Sequence, residues 1–248
     1  MFGFGWFYFD WTIILVIPAF IFALWAQFRV NSTYQKYSKE PTACRMTGAE
    51  AARRILDSNG LQHVTIEHIH GELTDHYDPR ANVIRLSDAV YGSMSAAAIG
   101  VAAHEAGHAV QYAKNYFPMK LRAVIIPVSR VGSMLAMPLF FIGLALSSGW
   151  FVAESAGANP ISDFLMLGGI ILYVTVALFQ LATLPVEFNA SKRAMVALTD
   201  SGKLTDDELG AAKKVLTAAA LTYVAALATS LLTLLRLILL AGGGRRRD

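Results

Sequence analysis

Cysteine and charged side chains are both scarce in this sequence. Cys44 is the only cysteine among 248 residues, so the chain forms no internal disulfide and its fold needs no oxidising compartment. Charged residues make up 16% of the chain and hydrophobic residues 55%, whereas soluble domains average roughly 25% charged residues. This balance argues against an ordinary soluble enzyme and indicates several segments in lipid.

Basic residues are also unevenly placed. The net charge is +3, and three of the positive charges belong to the arginines at 245–247 near the C-terminus. The net charge therefore does not predict a nucleic-acid partner. No Lys or Arg precedes the first apolar run. A signal peptide needs a basic segment there, so we predict an uncleaved membrane anchor instead.

Four apolar runs are long enough to cross a bilayer, which takes about 20 residues. They lie at 11–28, about 124–151, 164–185 and about 216–241, with Arg130 in the second and Arg236 in the fourth as their only charges. Buried helices of a soluble protein are the alternative, but the length of the runs and their near-absence of charge oppose it. We predict a polytopic α-helical membrane protein in a lipid bilayer.

The Lys and Arg distribution predicts the orientation of these runs. Basic residues are frequent in 29–123 and 186–215, whereas the loop between the second and third runs has none. Because cytoplasmic loops carry the excess of Lys and Arg, the N-terminus is expected outside a bacterial cytoplasmic membrane and both basic segments inside. The three arginines at 245–247 would lie on the cytoplasmic side, as this rule expects, only if the fourth run does not cross the membrane fully.

These patterns divide the chain into five predicted parts. They are an N-terminal transmembrane anchor (1–28), a cytoplasmic α+β catalytic part (29–123), a transmembrane hairpin (124–185), a cytoplasmic helix (186–215), and a C-terminal hydrophobic helix with a basic tail (216–248). The catalytic part is expected to begin with a helix, because Thr47 and Glu50 fit a capping box and Gly60 suits the end of that helix.

Short strands are predicted to follow that first helix. β-Branched and polar residues alternate there, and the turn signal at 78–82 predicts a hairpin of roughly 73–77 against 83–86. A second helix is predicted from about Ser93 to Lys114. The fold class is therefore a polytopic α-helical membrane protein with a small α+β zincin-like part, in which that helix lies next to the hairpin. One hairpin strand could hold a substrate by β-addition.

The second helix carries HEAGH at 104–108, an H-E-x-x-H pattern. Residues four apart share a helix face, so His104 and His108 can bind one ion at the roughly 2.0–2.1 Å of a Zn–N bond. Glu105 is rotated by about 100° from His104, where it can take a proton from zinc-bound water while the metal polarises the scissile carbonyl. An ordinary pair of helical histidines is the alternative, but the small flanking residues and the preceding strands favour a metal site.

A catalytic zinc usually has three protein ligands and one open position, so the motif needs a partner. The other histidines precede the motif, and most later acids are predicted across the membrane or at the start of a solvated helix. Glu187 is the first acid after the third run and lies on the motif's predicted side. We predict Glu187 as the third ligand, with an ordinary ion pair to Lys192 or Arg193 as the alternative.

Further residues are candidates for supporting roles. Ser191 and Asn189, on the segment that carries Glu187, could hold a ligand in place. An oxyanion-stabilising or substrate-binding side chain is also expected, and the candidates are His76, Arg193 and Tyr223.

Three stretches of the sequence together resemble the YugP-type neutral zinc metallopeptidases of bacterial membranes. They are HEAGHA, the downstream LPVEFNASKRA and the preceding DHYDPRANVIRLS. The likeness extends over nearly the whole chain. It implies a gluzincin-like site, with His104, His108 and Glu187 on one Zn²⁺ per chain and Glu105 as the catalytic residue. The order of motifs more distantly resembles the CAAX-type and heat-shock membrane proteases, in which an Asp four residues after the Glu supports a ligand histidine. Here that position is Ser191.

The expected function is a membrane-anchored zinc metalloendopeptidase that cleaves polypeptides in or near the membrane. One alternative is a site-2-type intramembrane protease, although the chain has no LDG motif and the motif helix carries Gln111 and Lys114. Another is a non-catalytic metal-binding scaffold or transporter, which would need a fourth ligand to close the site. Neither substrate nor oligomeric state follows from the sequence.

Overall fold

A computed structural model describes residues 11–71, 74–147 and 160–244 of the chain. The elements are α1 (Ile13–Tyr37), α2 (Gly48–Ser58), β1 (Thr65–Ile69), β2 (His76–Asp78), β3 (Val83–Ser87), α3 (Ala96–Ala113), α4 (Phe117–Ser147), α5 (Pro160–Asp200) and α6 (Asp206–Gly244). The expected order of helix, strands and helix between the first two apolar runs is confirmed.

The capping box at the start of α2 is confirmed. The Thr47 hydroxyl accepts a hydrogen bond from the Glu50 amide, and the Glu50 carboxylate accepts one from the Thr47 amide. These two bonds satisfy amides that have no partner inside the helix. At the other end, Gly60 has a φ of +73°, a conformation that glycine adopts without steric cost, so α2 stops where the sequence predicts.

The three strands form one sheet in the order β1–β3–β2. The predicted hairpin is confirmed, since β2 pairs antiparallel with β3 and Tyr77 lies opposite Ile84. Its first strand begins at His76, and Leu73 of the predicted strand lies outside the described residues. β1 pairs with the other edge of β3 in parallel, which leaves β2 as an edge strand beside α3.

α3 begins at an N-cap, where the Ser95 hydroxyl accepts a hydrogen bond from the Ala98 amide. Small side chains then allow neighbouring backbones to approach closely. A Cβ placed on Gly107 would lie 2.6 Å from the Ala190 carbonyl oxygen of α5, so only glycine fits there. This contact brings α3 and α5 together inside the H-E-x-x-H motif, between His104 and His108.

The described residues fall into two compact units. One contains those of Trp25–Ala123 and Ala182–Val224, and its hydrophobic core joins α2, the sheet, α3 and the included parts of α5 and α6. Leu56, Ile84, Ile99 and Leu198 are almost completely buried in this core. All of the candidate site residues belong to this unit.

The other unit contains the described residues of Met1–Leu24, Val124–Leu181 and Ala225–Asp248. Among the described residues of the whole chain, four helices are long and apolar enough to cross a membrane, which agrees with the predicted polytopic fold: Ile13–Tyr37, Phe117–Ser147, Pro160–Asp200 and Asp206–Gly242. Many of their large apolar side chains are exposed, as expected for surfaces that face lipid. Within this unit, Arg236 donates a hydrogen bond from Nε to the Thr12 hydroxyl at 3.3 Å.

These helices are longer than the apolar runs in the sequence. α5 continues unbroken across 185–186 through Pro185, and α6 begins well before 216. The predicted division into five parts and the predicted orientation both stay predictions. The loop at 148–159 and the basic tail at 245–247 lie outside the described residues.

Candidate metal centre

Two histidines of α3 and one glutamate of α5 converge on a single point. Glu187 Oε2 lies 3.2 Å from His104 Nε2 and 3.5 Å from His108 Nε2. Ligand atoms bound to a tetrahedral zinc at 2.0–2.1 Å would lie about 3.3 Å apart. The two distances to Glu187 Oε2 therefore match the spacing of a zinc site, and the three ligand atoms all lie within 4.8 Å of one another. Two imidazoles with one carboxylate are ligands that zinc accepts.

No other group of three potential metal ligands is found among the described residues. Three ligands leave a position open, which is typical of catalytic zinc, whereas structural zinc sites are usually closed by four. The arrangement therefore favours a catalytic ion over a structural one.

The outer nitrogen of each histidine has its own partner. His104 Nδ1 lies 3.1 Å from the Ser191 hydroxyl, and His108 Nδ1 lies 3.0 Å from Gln111 Oε1. A proton on each Nδ1 leaves the Nε2 lone pair facing Glu187, which is the tautomer that a metal ligand needs. Both rings therefore present Nε2 to the point where an ion could bind.

Gln111 is fully buried and its orientation is fixed by its other contacts. Its Nε2 donates to the Val186 carbonyl at 2.8 Å and to Asn189 Oδ1 at 3.0 Å. Both neighbours are acceptors, so Oε1 must be the atom that faces His108. Gln111 thereby ties the motif helix to the residues on each side of Glu187.

The Glu187 carboxylate is only 2% exposed. A buried carboxylate needs compensating charge, and Arg122 of α4 supplies it by donating from Nη1 to Glu187 Oε1 at 2.9 Å. Glu187 therefore uses one oxygen for the histidines and the other for arginine. Arg122 has no motif around it in the sequence, and sequence reasoning missed it.

Glu105 lies beside this centre and is itself buried. Its Oε2 accepts a hydrogen bond from the Tyr77 amide of β2 at 2.9 Å. The amide of an edge strand thus orients the carboxylate that the sequence predicts as the proton acceptor. Because this N–H is already used, the structure offers no free donor at Tyr77 for the expected β-addition of a substrate.

Negative charge also acts on His108, one of the three candidate metal ligands. Burial lowers the pKa of His108, but the hydrogen bond to Glu187 and the charge of Glu105 outweigh burial and hold that pKa above its ordinary value. Metal binding needs the neutral imidazole. Protons therefore compete with a metal for His108 as the pH falls.

A cavity of about 160 Å³ opens onto the centre. Its lining includes two kinds of side chain. The polar ones are His104, Glu105, Glu187, Ser191, Asp75 and Tyr223, and the mostly apolar ones are Val30, Tyr34, Val101, Val215, Leu216, Ala219 and Ala220. A cavity with an apolar wall and a few convergent polar groups is typical of a ligand-binding site.

Asp75 is a further cavity residue that sequence reasoning missed. Burial raises the pKa of Asp75, two hydrogen bonds from Ser87 lower it, and the nearby charge of Glu105 raises it again, with a net shift upward. Its carboxylate accepts from the Ser87 amide at 2.7 Å and the Ser87 hydroxyl at 3.0 Å. Asp75 thereby fixes the chain leading into β2, next to Glu105.

The remaining predicted residues divide into two groups. Tyr223 of α6 lines the cavity and lies beside Glu187. Arg193 instead donates from Nε to Asn189 Oδ1 at 2.7 Å and lies over the Tyr116 ring, and the exposed His76 contacts the Thr74 carbonyl. Among the described residues that line the cavity, neither Arg193 nor His76 is present.

Comparisons with known proteins agree with this geometry. Residues 12–242 match the family described as "Putative neutral zinc metallopeptidase". The chain is 47% identical over 219 residues to the protein named "Putative membrane protease YugP" of Bacillus subtilis (strain 168), which covers 88% of this chain and 91% of that protein. No solved structure matches the chain. The resemblance drawn from the motifs is confirmed, and the chain belongs to this family of neutral zinc metallopeptidases.

Proposed function

We propose that the protein is a membrane-anchored zinc metalloendopeptidase that cleaves polypeptides in or near the membrane. The observation that carries this proposal is the convergence of His104 Nε2, His108 Nε2 and Glu187 Oε2 beside Glu105 in one cavity. These three atoms would hold one zinc ion per chain. The names of the family and of its Bacillus subtilis relative support both the metal and the reaction class.

Bound zinc supplies a Lewis acid that polarises a carbonyl and makes water more acidic. Glu105 is the proposed base. The Tyr77 amide holds its Oε2, which leaves Oε1 as the oxygen that takes a proton from the attacking water and later passes it to the leaving amine. The buried position of Glu105 limits competition from bulk water.

Tyr223 is the proposed stabiliser of the developing oxyanion. Its phenol lies in the cavity that contains Glu105 and His104, and a hydroxyl donor is able to stabilise negative charge on the former carbonyl oxygen. Ser191, Gln111 and, through Gln111, Asn189 support the ligand histidines by the contacts described above.

The test of this function is Glu105→Gln in the purified full-length chain. The amide keeps an oxygen for the Tyr77 N–H but cannot accept a proton, so peptide hydrolysis should fall by about 10²–10⁴-fold. Zinc should remain near one per chain, because Glu105 is not a proposed ligand.

Two matched variants complete this test. Removal of a ligand in His104→Ala or Glu187→Ala should abolish both hydrolysis and stoichiometric zinc. Hydrolysis at the wild-type rate in Glu105→Gln would contradict the proposed mechanism, and full zinc in Glu187→Ala would contradict the third ligand.

The alternatives receive less support from the described residues. The motif helix α3 is not among the four helices able to cross a membrane, which does not favour an intramembrane protease of the site-2 type. A metal-binding scaffold would need a fourth protein ligand, and the described residues provide three at this point.

We further propose that the site works on the cytoplasmic face of a bacterial membrane. The argument is the Lys and Arg excess in 29–123 and 186–215 together with the absence of Lys and Arg in the loop between the second and third apolar runs. The relative from Bacillus subtilis, named as a membrane protease, supports a bacterial membrane location.

A further inference from the structure

Arg122 contacts only one of the two oxygens of Glu187. Its Nη1 lies 2.9 Å from Oε1, whereas Oε2 lies 3.2 Å from His104 Nε2 and 3.5 Å from His108 Nε2. The carboxylate is therefore divided between two tasks. Oε2 faces the ligand nitrogens, and Oε1 is kept turned toward the guanidinium.

The guanidinium is itself held in a restricted place. Arg122 is 27% exposed at its side chain, but its Nε is buried and has no hydrogen-bond partner among the described residues. A buried N–H without a partner has a free-energy cost. The hydrogen bond from Nη1 to Glu187 Oε1 is the one that the described residues show for this guanidinium.

A carboxylate that can rotate freely binds zinc through one oxygen or through both. Binding through both would place a fourth protein atom on the ion, so that the ion with its water would become five-coordinate and have no room for a substrate carbonyl. A charge-assisted hydrogen bond to one oxygen opposes this, because that oxygen would have to leave the guanidinium to reach the metal.

We propose that Arg122 is a positioning residue that holds Glu187 to one-oxygen coordination, so that a zinc ion with three protein ligands and one water would stay four-coordinate. This inference rests on the zinc centre proposed above. Through Arg122, α4 would orient the Glu187 carboxylate, a role that neither α3 nor α5 provides.

The experiment uses the full-length chain in detergent with cobalt(II) in place of zinc. Four-coordinate cobalt(II) absorbs visible light much more strongly than five-coordinate cobalt(II), so the spectrum reports the coordination number. Arg122→Gln should keep one cobalt per chain and lose most of this absorption. Arg122→Lys, which retains a charged donor, should restore it.

Lys120→Gln is the matched control. It removes the same charge from the same helix two residues away, at an exposed position, and should keep the wild-type spectrum. Peptide hydrolysis should fall about 10–100-fold in Arg122→Gln, the usual effect of losing a group that orients a metal ligand, and should be unchanged in Lys120→Gln.

A wild-type spectrum in fully loaded Arg122→Gln would overturn the proposal. If that variant does not fold, X-ray absorption of the wild-type zinc protein decides instead: one carboxylate oxygen on zinc supports the proposal and two oxygens overturn it. Failure of the wild type to bind zinc would overturn the metal centre itself, which is a different result from an unchanged cobalt spectrum.

Discussion

At the scale of single residues, the centre depends on atoms whose partners lie far away in the sequence. Gln111 follows His108 by one helical turn, which is a local relation, but its other contacts are Val186 and Asn189 on α5. One side chain thus contacts the ring of one candidate ligand, His108, and the backbone beside another, Glu187. A residue with both roles should be intolerant of substitution.

We expect Gln111→Leu to lower both stability and zinc affinity. Leucine fills similar space but leaves the Val186 carbonyl and the His108 Nδ1 without partners in a buried setting, which costs about 1–3 kcal/mol per group. Loss of the ring-orienting contact should weaken zinc binding about 10–100-fold. Urea unfolding and a competition assay with a zinc chelator measure the two effects.

The same substitution at an exposed site provides the control. Gln35→Leu on α1 changes side-chain polarity equally, but the residue is exposed, so zinc affinity should not change. Equal loss of zinc in both variants would mean that the Gln111 contact has no special role.

Residues with a local signature were predictable, and residues with only long-range partners were not. His104, Glu105 and His108 share a short motif, and Glu187 followed from its place after an apolar run. Arg122 lies 65 residues before its partner Glu187, and no spacing rule connects the two positions. Its role depends on how α4 and α5 pack, which a single sequence does not encode in a readable pattern.

At the scale of elements, the close approach of α3 and α5 decides whether ligands from two helices can share an ion. Gly107 lies between the two ligand histidines, where a Cβ would lie 2.6 Å from the Ala190 carbonyl oxygen. Side chains larger than hydrogen would force the helices apart. The glycine in HEAGH is therefore required by packing, although the motif itself leaves that position free.

Gly107→Ala should accordingly destabilise the fold by about 1–3 kcal/mol, the typical cost of inserting a group into a packed contact. Because α5 carries Glu187, the shift should also weaken zinc binding. Gly210→Ala is the control, since a Cβ there meets nothing within 4 Å and alanine favours a helix. Thermal melts with and without zinc would show the difference, and equal melting temperatures for the two variants would contradict the packing argument.

Element boundaries with chemical signals were predicted well from the sequence. The capping box and Gly60 delimited α2, and the turn after Asp78 located the hairpin. The parallel pairing of β1 with β3 was not predicted, because residue alternation shows that a strand exists and not which strand it joins. That pairing fills one edge of β3 and leaves β2 at the other, where the Tyr77 amide reaches Glu105.

At the scale of the whole molecule, two kinds of evidence describe the membrane part. Helix length and apolar composition show four candidate spans, and the Lys and Arg distribution predicts which side each loop occupies. Only the second argument concerns orientation. An experiment that labels loops from one side of the membrane therefore tests the proposed cytoplasmic location of the site directly.

The single cysteine makes such an experiment simple. Cys44→Ser gives a chain without cysteine, into which His70→Cys and Glu154→Cys are introduced separately. His70 is 97% exposed at its side chain and belongs to the unit that holds the site. Glu154 lies in the loop between the second and third apolar runs, outside the described residues, so its choice rests on the sequence alone.

A membrane-impermeant maleimide added to intact cells should label the cysteine at 154 and leave the cysteine at 70 unlabelled. Disruption of the membrane should then make both reactive, which shows that the second cysteine was protected by the membrane and not by the fold. Labelling at 70 in intact cells, without labelling at 154, would invert the orientation. The metal centre and its proposed chemistry would stand, but the substrates would be polypeptides on the outer side of the membrane.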